Sequence, residues 1–141
     1  MKHFLLFPVV LAAGLATGGG AAFGIRTVSP TAAAKPVIDT GFVPAGAILV
    51  PLVAADGTLA GYARVDVQLE VETGTIELVS GRLPVLLDAI NRRTYKAPLA
   101  ASSDRLLPDL ATFRTLVAAA AVEAYGKGVV RRVAVTSARA A

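Results

Sequence analysis

Cysteine and tryptophan are absent from the 141 residues, and the single histidine is His3, beside the amino terminus. These absences exclude disulfide frameworks, thiolate nucleophiles and Cys/His zinc sites, and they leave the rest of the chain without a histidine base. Aromatic residues make up only 6% and charged residues 17%, whereas 55% are apolar and mean hydropathy is +0.64. A chain of this length holds one small domain and a membrane segment but not two full domains, so most large enzyme scaffolds drop out.

The apolar excess is partly concentrated. From Phe4 to Ile25 no residue is charged, and the run closes at Arg26. As a helix it spans about 33 Å, enough to cross a hydrocarbon core about 30 Å thick. Gly14, Gly18, Gly19, Gly20 and Gly24 weaken helix propensity, although glycine is commoner in membrane helices than in soluble ones. Gly14 with Gly18, and Gly20 with Gly24, have the spacing that lets two membrane helices approach closely. The competing readings are a cleaved signal peptide, with small residues near Ala22 and at Ala32–Ala34, and a buried helix. The run exceeds the usual signal core of about 7 to 15 residues, which favours an uncleaved anchor. Lys2 precedes the run and Arg26 and Lys35 follow it; with almost all of the foldable chain after the run, the expected orientation puts the amino terminus in the cytoplasm.

Residues 26–41, with Pro30 and Pro36, read as a tether. Beyond it the charge is segregated: residues 35–81 carry 2 basic and 6 acidic side chains, and residues 82–141 carry 10 and 4. Most of the nominal +4 therefore reflects the second half and the anchor flanks, and the pI of about 9.9 is no argument for nucleic acid.

Phe42–Val53 predicts a strand, with Pro51 directing it to an edge or a bulge, and Asp56-Gly57 predicts the turn that follows. Leu59–Glu72 alternates: Val65, Val67, Leu69 and Val71 point one way and Arg64, Asp66, Gln68, Glu70 and Glu72 the other. The two strands form an antiparallel hairpin whose apolar face needs cover. The stripe Ile76, Val79, Leu83, Leu86, Leu87, Ile90 and Thr94 supplies it, chiefly through a helix from Leu83 to Thr94 with Pro84 in its first turn and Asp88 paired with Arg92. Tyr95–Asp109 reads as a loop. A second helix runs from Leu110 to Tyr125, started by Asp109 and stopped by Gly126, with Phe113, Leu116, Val117, Ala120, Ala121 and Ala124 on one side. A last strand follows from Val129 to Thr136, with Arg131 on the face of Val129, Val133 and Val135. The expected fold is α+β, a membrane helix followed by a two-layer β-β-α-α-β domain.

The sequence assigns no catalytic, cofactor-binding or metal-ligating residue. Glu70 and Glu72 share a strand face on which a hard cation is conceivable, but adjacent outward acids on a strand are ordinarily solvated. Asp104 and Asp109 have no sign of acid/base asymmetry. Arg92-Arg93-x-x-Lys96 and Arg131-Arg132 read first as surface or helix-end charge, with lipid headgroups, an acidic protein or nucleic acid as the other readings. Gly18-Gly19-Gly20 lacks the Lys-Ser/Thr of a phosphate loop. Tyr62, Phe113 and Tyr125 are candidates for partner contact, although aromatics at element ends more often serve the core or its rim.

Tyr62-Ala63-Arg64-Val65-Asp66-Val67-Gln68-Leu69-Glu70-Val71, followed by Arg82-Leu83-Pro84-Val85-Leu86-Leu87-Asp88-Ala89-Ile90, resembles the FliL family of flagellar basal-body-associated membrane proteins. The resemblance covers roughly Ala47 to Thr136. It implies a stomatin/prohibitin-type fold over residues 42–137, a cytoplasmic end at 1–3, a transmembrane helix at 4–25, a periplasmic linker at 26–41 and a flexible tail at 138–141. It further implies an inner-membrane, non-enzymatic protein that uses no cofactor, self-associates, contacts lipid through residues 4–25 and supports motor stators, motility and chemotaxis without binding nucleic acid. The chain departs from the family in its glycine-rich anchor, its Pro98–Pro108 loop and a final strand with few aromatics. Two alternatives remain open: a cleaved periplasmic or secreted binding protein, and a membrane-surface scaffold unrelated to flagella. A membrane-surface hydrolase would need a site assembled from distant residues.

Overall fold

Strict alternation of apolar and polar residues from Ala63 to Glu72 sets the architecture, because a strand so patterned must bury one face and leave the other to water. The computed structural model describes residues 34–101 and 106–141. Contacts divide the chain into Met1–Pro36 and Val37–Ala141, and all the elements below belong to the second unit. The strands are β1 (Thr40–Val53), β2 (Leu59–Glu72) and β3 (Val130–Ala140). The helices, inserted between β2 and β3, are α1 (Ile76–Gly81), α2 (Leu83–Thr94) and α3 (Leu110–Tyr125). The strands form one antiparallel sheet in the order β1-β2-β3, with the alternating strand at its centre. The class is therefore α+β.

Val65, Val67, Leu69 and Val71 are 0–1% exposed. Burial of each contributes about 1.5–3 kcal/mol. They pack in one core with Val79, Leu86, Ile90, Phe113, Val117 and Ala121. The helices α1 and α2 lie against β1, α3 lies against β3, and α2 packs on α3. The predicted helical stripe divides as expected: Val79, Leu86, Ile90 and Thr94 are buried, while Ile76, Leu83 and Leu87 pack at the margin. A Cβ at Gly41 would lie 2.8 Å from Ile76 Cδ1, so α1 sits close on β1 at this point.

The edge strands keep their apolar residues on the core side only by means of bulges. On β1, Pro44 faces Gln68 and Gly46 faces Val67, so Ala45 is an extra residue. The buried set accordingly changes parity, from Val43 and Ala45 to Ile48, Val50 and Leu52. Gly46 accommodates the bulge at φ 84°, a conformation that side chains with a Cβ resist. On β3 the extra residues are Arg131 and Thr136.

The sequence reading needs correction in four places. The linker ends earlier than position 41, because Thr40 and Gly41 already pair with Glu72 and Val71. The bulge at Arg131 separates this residue from the core-facing valines and places Val130, not Val129, opposite Val71. The expected tail at 138–141 is strand as far as Ala140: the second bulge returns half-buried Ala138 to the core side opposite Val65, and exposed Ala140 pairs with Ala63. Within the Tyr95–Asp109 loop, Leu99 is fully buried and Ala100 bridges to Pro108, so this segment contributes to the core. The span Phe4–Ile25, its glycine spacings and its competing readings lie outside the described residues; among the described residues no helix is long and apolar enough to cross a membrane.

Replacing Gly46 with valine is expected to lower stability by about 1–2 kcal/mol, the cost of a left-handed backbone at a residue with a Cβ. Gly74→Ala, where the added Cβ meets nothing within 4 Å, serves as the control and stays near neutral. Urea denaturation of the two variants measures the difference, and equal losses at both sites would contradict the role assigned to the bulge.

Candidate interaction surfaces

Most of the acids and arginines singled out in the sequence pair with one another: Glu70 and Glu72 with Arg132 and Arg131, and Arg92 with Asp88. Glu70 forms an ion pair with Arg132 Nε at 2.8 Å and accepts a hydrogen bond from Thr40 Oγ1 at 3.2 Å. Glu72 accepts one from Arg131 Nη2 at 2.9 Å. Pairing across β2 and β3 thus brings together the two acids and the second basic cluster, which are some sixty residues apart in sequence. Each carboxylate that was considered for a hard cation holds a guanidinium instead, and the described residues contain no group of three or more His, Cys, Asp or Glu placed to bind a metal ion.

The first basic cluster is bound similarly on the helical layer. Arg92 Nε donates to Asp88 Oδ2 at 3.0 Å, one helical turn away, and Arg92 Nη2 donates to Glu123 Oε1 at 2.7 Å. Arg93 Nη2 takes the other oxygen of Glu123, also at 2.7 Å. Glu123 therefore clamps α2 to α3. Hydrogen bonds from Arg92 and then Arg93 hold its carboxyl below the usual glutamate range, and the same contact with Glu123 raises Arg92 further above its already high value. Arg92, Asp88 and Glu123 are exposed and Arg93 is half-buried, so the clamp adds specificity of packing more than stability. Beside it an open groove of about 620 Å³ lies between the end of α2 and the first half of α3, lined by Arg93, Lys96, Thr112, Thr115, Leu116 and Ala119 among others. Arg93 Nε is buried there without a hydrogen-bond partner among the described residues. Among the described residues that line the groove, the titratable groups are Arg93 and Lys96.

The remaining candidates divide between structure and surface. Asp109 caps α3, accepting from the N–H groups of Ala111 and Thr112 at 3.0 Å each. Asp104 lies outside the described residues. Phe113 is fully buried in the core. Tyr125 donates its hydroxyl to the Val79 carbonyl at 3.1 Å, tying α3 to α1, and burial raises its pKa. Tyr62 alone among the three aromatics faces outward, on the sheet face that no helix covers. Leu49, 53% exposed, lies near it on that face, and Phe42, 49% exposed, lies on the same face at the far end of the hairpin opposite Glu70.

The backbone bonds at the strand ends show which groups each sheet edge offers. Thr73 N–H donates to Asp39 O, whereas Ala141 N–H donates to Tyr62 O. Odd-numbered residues of β2 thus bond toward β1 and even-numbered ones toward β3, since the direction alternates with the side chain. On β1 the outer-face residues then direct their backbone groups away from β2. Two of them, Pro44 and Pro51, have no N–H to offer, and the carbonyl of a third, Val53, accepts from Ala100 N–H at 3.0 Å. The β1 edge is therefore poorly suited to extension by another strand.

Sequence reasoning missed two participants. Glu123 is the lone acid of an alanine-rich helix, four residues after Ala119, and only the packing of α2 on α3 reveals that it faces Arg92 and Arg93. Leu99 looked like a loop residue because prolines and serines surround it. No family model matches the chain, and neither the curated proteins nor the solved structures provide a significant match.

The clamp predicts a pH dependence. A carboxyl that titrates low in the folded state contributes stability that is complete above its unfolded value and is lost as pH falls through the folded one. Glu123→Gln should therefore be less stable than the parent at about pH 7, with the gap closing by about pH 3. Denaturation midpoints at the two pH values test this, and a gap that stays constant or widens on acidification would contradict it.

Proposed function

We propose that this chain is a FliL-like protein of the bacterial inner membrane, without enzymatic activity, that supports or modulates the stators of the flagellar motor through protein contact. The observation that carries the reading is the pairing of two stretches. The Tyr62–Val71 stretch lies on the central strand, and Arg82-Leu83-Pro84 lies at the break between α1 and α2, where proline is tolerated in the first helical turn. These are the stretches on which the family resemblance rests, and they occupy the part of the fold that orders everything else.

Further support comes from the uncharged run Phe4–Ile25 and the residues after it. As an anchor the run would confine the domain Thr40–Ala140 to the outer surface of the inner membrane, with residues 26–39 as the tether. Confinement to a surface raises the effective concentration of a domain toward its neighbours, so weak contacts and self-association gain occupancy without a strong individual interface. The paired charges of Glu70, Glu72 and Glu123 fit a domain that acts by docking, since none stands free to act on a substrate.

Cell fractionation combined with proximity labelling of the full-length protein in motile cells tests the proposal. The expected result is retention in the membrane fraction with stator or basal-body proteins among the labelled neighbours. A soluble product lacking the apolar run, or an assembled motor whose components remain unlabelled, would overturn it.

A further inference from the structure

The geometry points to the cleft between α3 and the free edge of β3 as a docking site for an extended, acidic segment of a partner protein, which pairs with β3 as a fourth strand. This inference rests on the sheet and its edges and does not depend on the flagellar reading.

Four observations converge. First, the residues of β3 opposite the odd-numbered positions of β2, among them Val133 and Val135, turn their N–H and C=O groups away from the sheet. No turn, loop or cap hydrogen bond among the described residues engages those groups. Second, this edge contains no proline, in contrast to β1, and the stretch Arg132–Val135 between its two bulges is regular. Third, the edge borders a groove of about 300 Å³ between β3 and α3, where Thr115 and Ala118 leave space beside Val130 and Val133. A strand added at Val133 and Val135 would direct alternate side chains into that space, the arrangement by which strand and helix together grip an extended peptide.

Fourth, the groove is basic. Arg114, Arg131 and Arg132 line it, and from Gly126 to Ala141 the chain has four basic residues and no acid. Arg131 and Arg132 are drawn by Glu72 and Glu70, whereas Arg114 has no ion-pair partner among the described residues. A carboxylate on the incoming segment complements Arg114, and an apolar residue two positions away fits beside Ala118. The alternating donors and acceptors of a strand edge are complemented by a polypeptide backbone and not by a lipid headgroup or a nucleic-acid backbone, so the occupant is a peptide.

The probe is a fluorescein-labelled peptide, Val-Thr-Val-Asp-Val-Glu, titrated into the full chain in detergent micelles, with the same peptide carrying lysine in place of both acids as control. Fluorescence anisotropy should show the acidic peptide binding at least about tenfold more tightly, with affinity falling as salt rises. In amide exchange, Val133 and Val135 should gain protection on binding. Arg114→Glu should lower affinity about tenfold without changing the circular dichroism spectrum, because the residue is exposed. Equal affinity for the two peptides, or binding without protection of Val133 and Val135, would overturn the proposal. Anionic vesicles provide a last arm: if they bind and acidic peptide does not, the groove is not a strand-docking site.

Discussion

The burial of one face of β2 is the interaction on which the rest of the structure depends. Ala63, Val65, Val67, Leu69 and Val71 are withdrawn from water only because α1, α2 and α3 all lie on the same side of the sheet. A one-residue slip of this strand would exchange its whole apolar set for Arg64, Asp66, Gln68, Glu70 and Glu72, so its register is fixed by solvation. The neighbouring strands then adapt to it. Each carries an apolar pattern that loses phase with β2, and each restores phase by an extra residue: Ala45 on β1, Arg131 and Thr136 on β3.

That adaptation determines where the charges go. The bulge at Arg131 allows both Arg131 and Arg132 to reach Glu72 and Glu70, which converts a sequence of separate acidic and basic halves into a cross-strand network. On the other layer Glu123 does the same for Arg92 and Arg93. Part of the charge segregation along the chain is thus resolved within the domain, and its surface includes an apolar strip along β1 with Phe42 and Leu49 and the basic cleft at Arg114. The two edges of the sheet differ accordingly. Prolines and the Leu99 loop guard β1, while β3 keeps its backbone groups open.

Much of this was legible in the sequence where a single period was uninterrupted. The bounds of β2, α2 and α3 could be read from alternation, from the Leu83–Thr94 stripe and from the Asp109 cap, because each element states its own pattern locally. Pro51 marked β1 as an edge or bulged strand, and β1 is an edge strand with a register shift just after Pro51, but the bulges at Ala45 and on β3 were not legible: Arg131 among valines resembled an imperfect strand, and only pairing with β2 shows that it lies outside the ladder. For the same reason the end of the last strand was read near Thr136, since Ala138, half-buried, and Ala140, exposed, are too small to announce a strand pattern. Leu99 and Glu123 were invisible for a different cause, as each acquires its role from residues distant in sequence. The interaction surfaces share that dependence, because Arg114 becomes notable only when α3 is laid beside β3.

A domain built this way presents two distinct surfaces, the uncovered face of the sheet and the edge of β3. Its organisation makes a direct demand on backbone protection in the free protein. Amide hydrogen exchange resolved by residue should find β2 protected throughout, and along β3 it should alternate, with Arg132 and Ala134 slow and Val133 and Val135 fast. Uniform protection of Arg132–Val135, or fast exchange in Val65–Val71, would contradict the account, the first by showing the β3 edge already covered and the second by removing the buried face from which the whole arrangement follows.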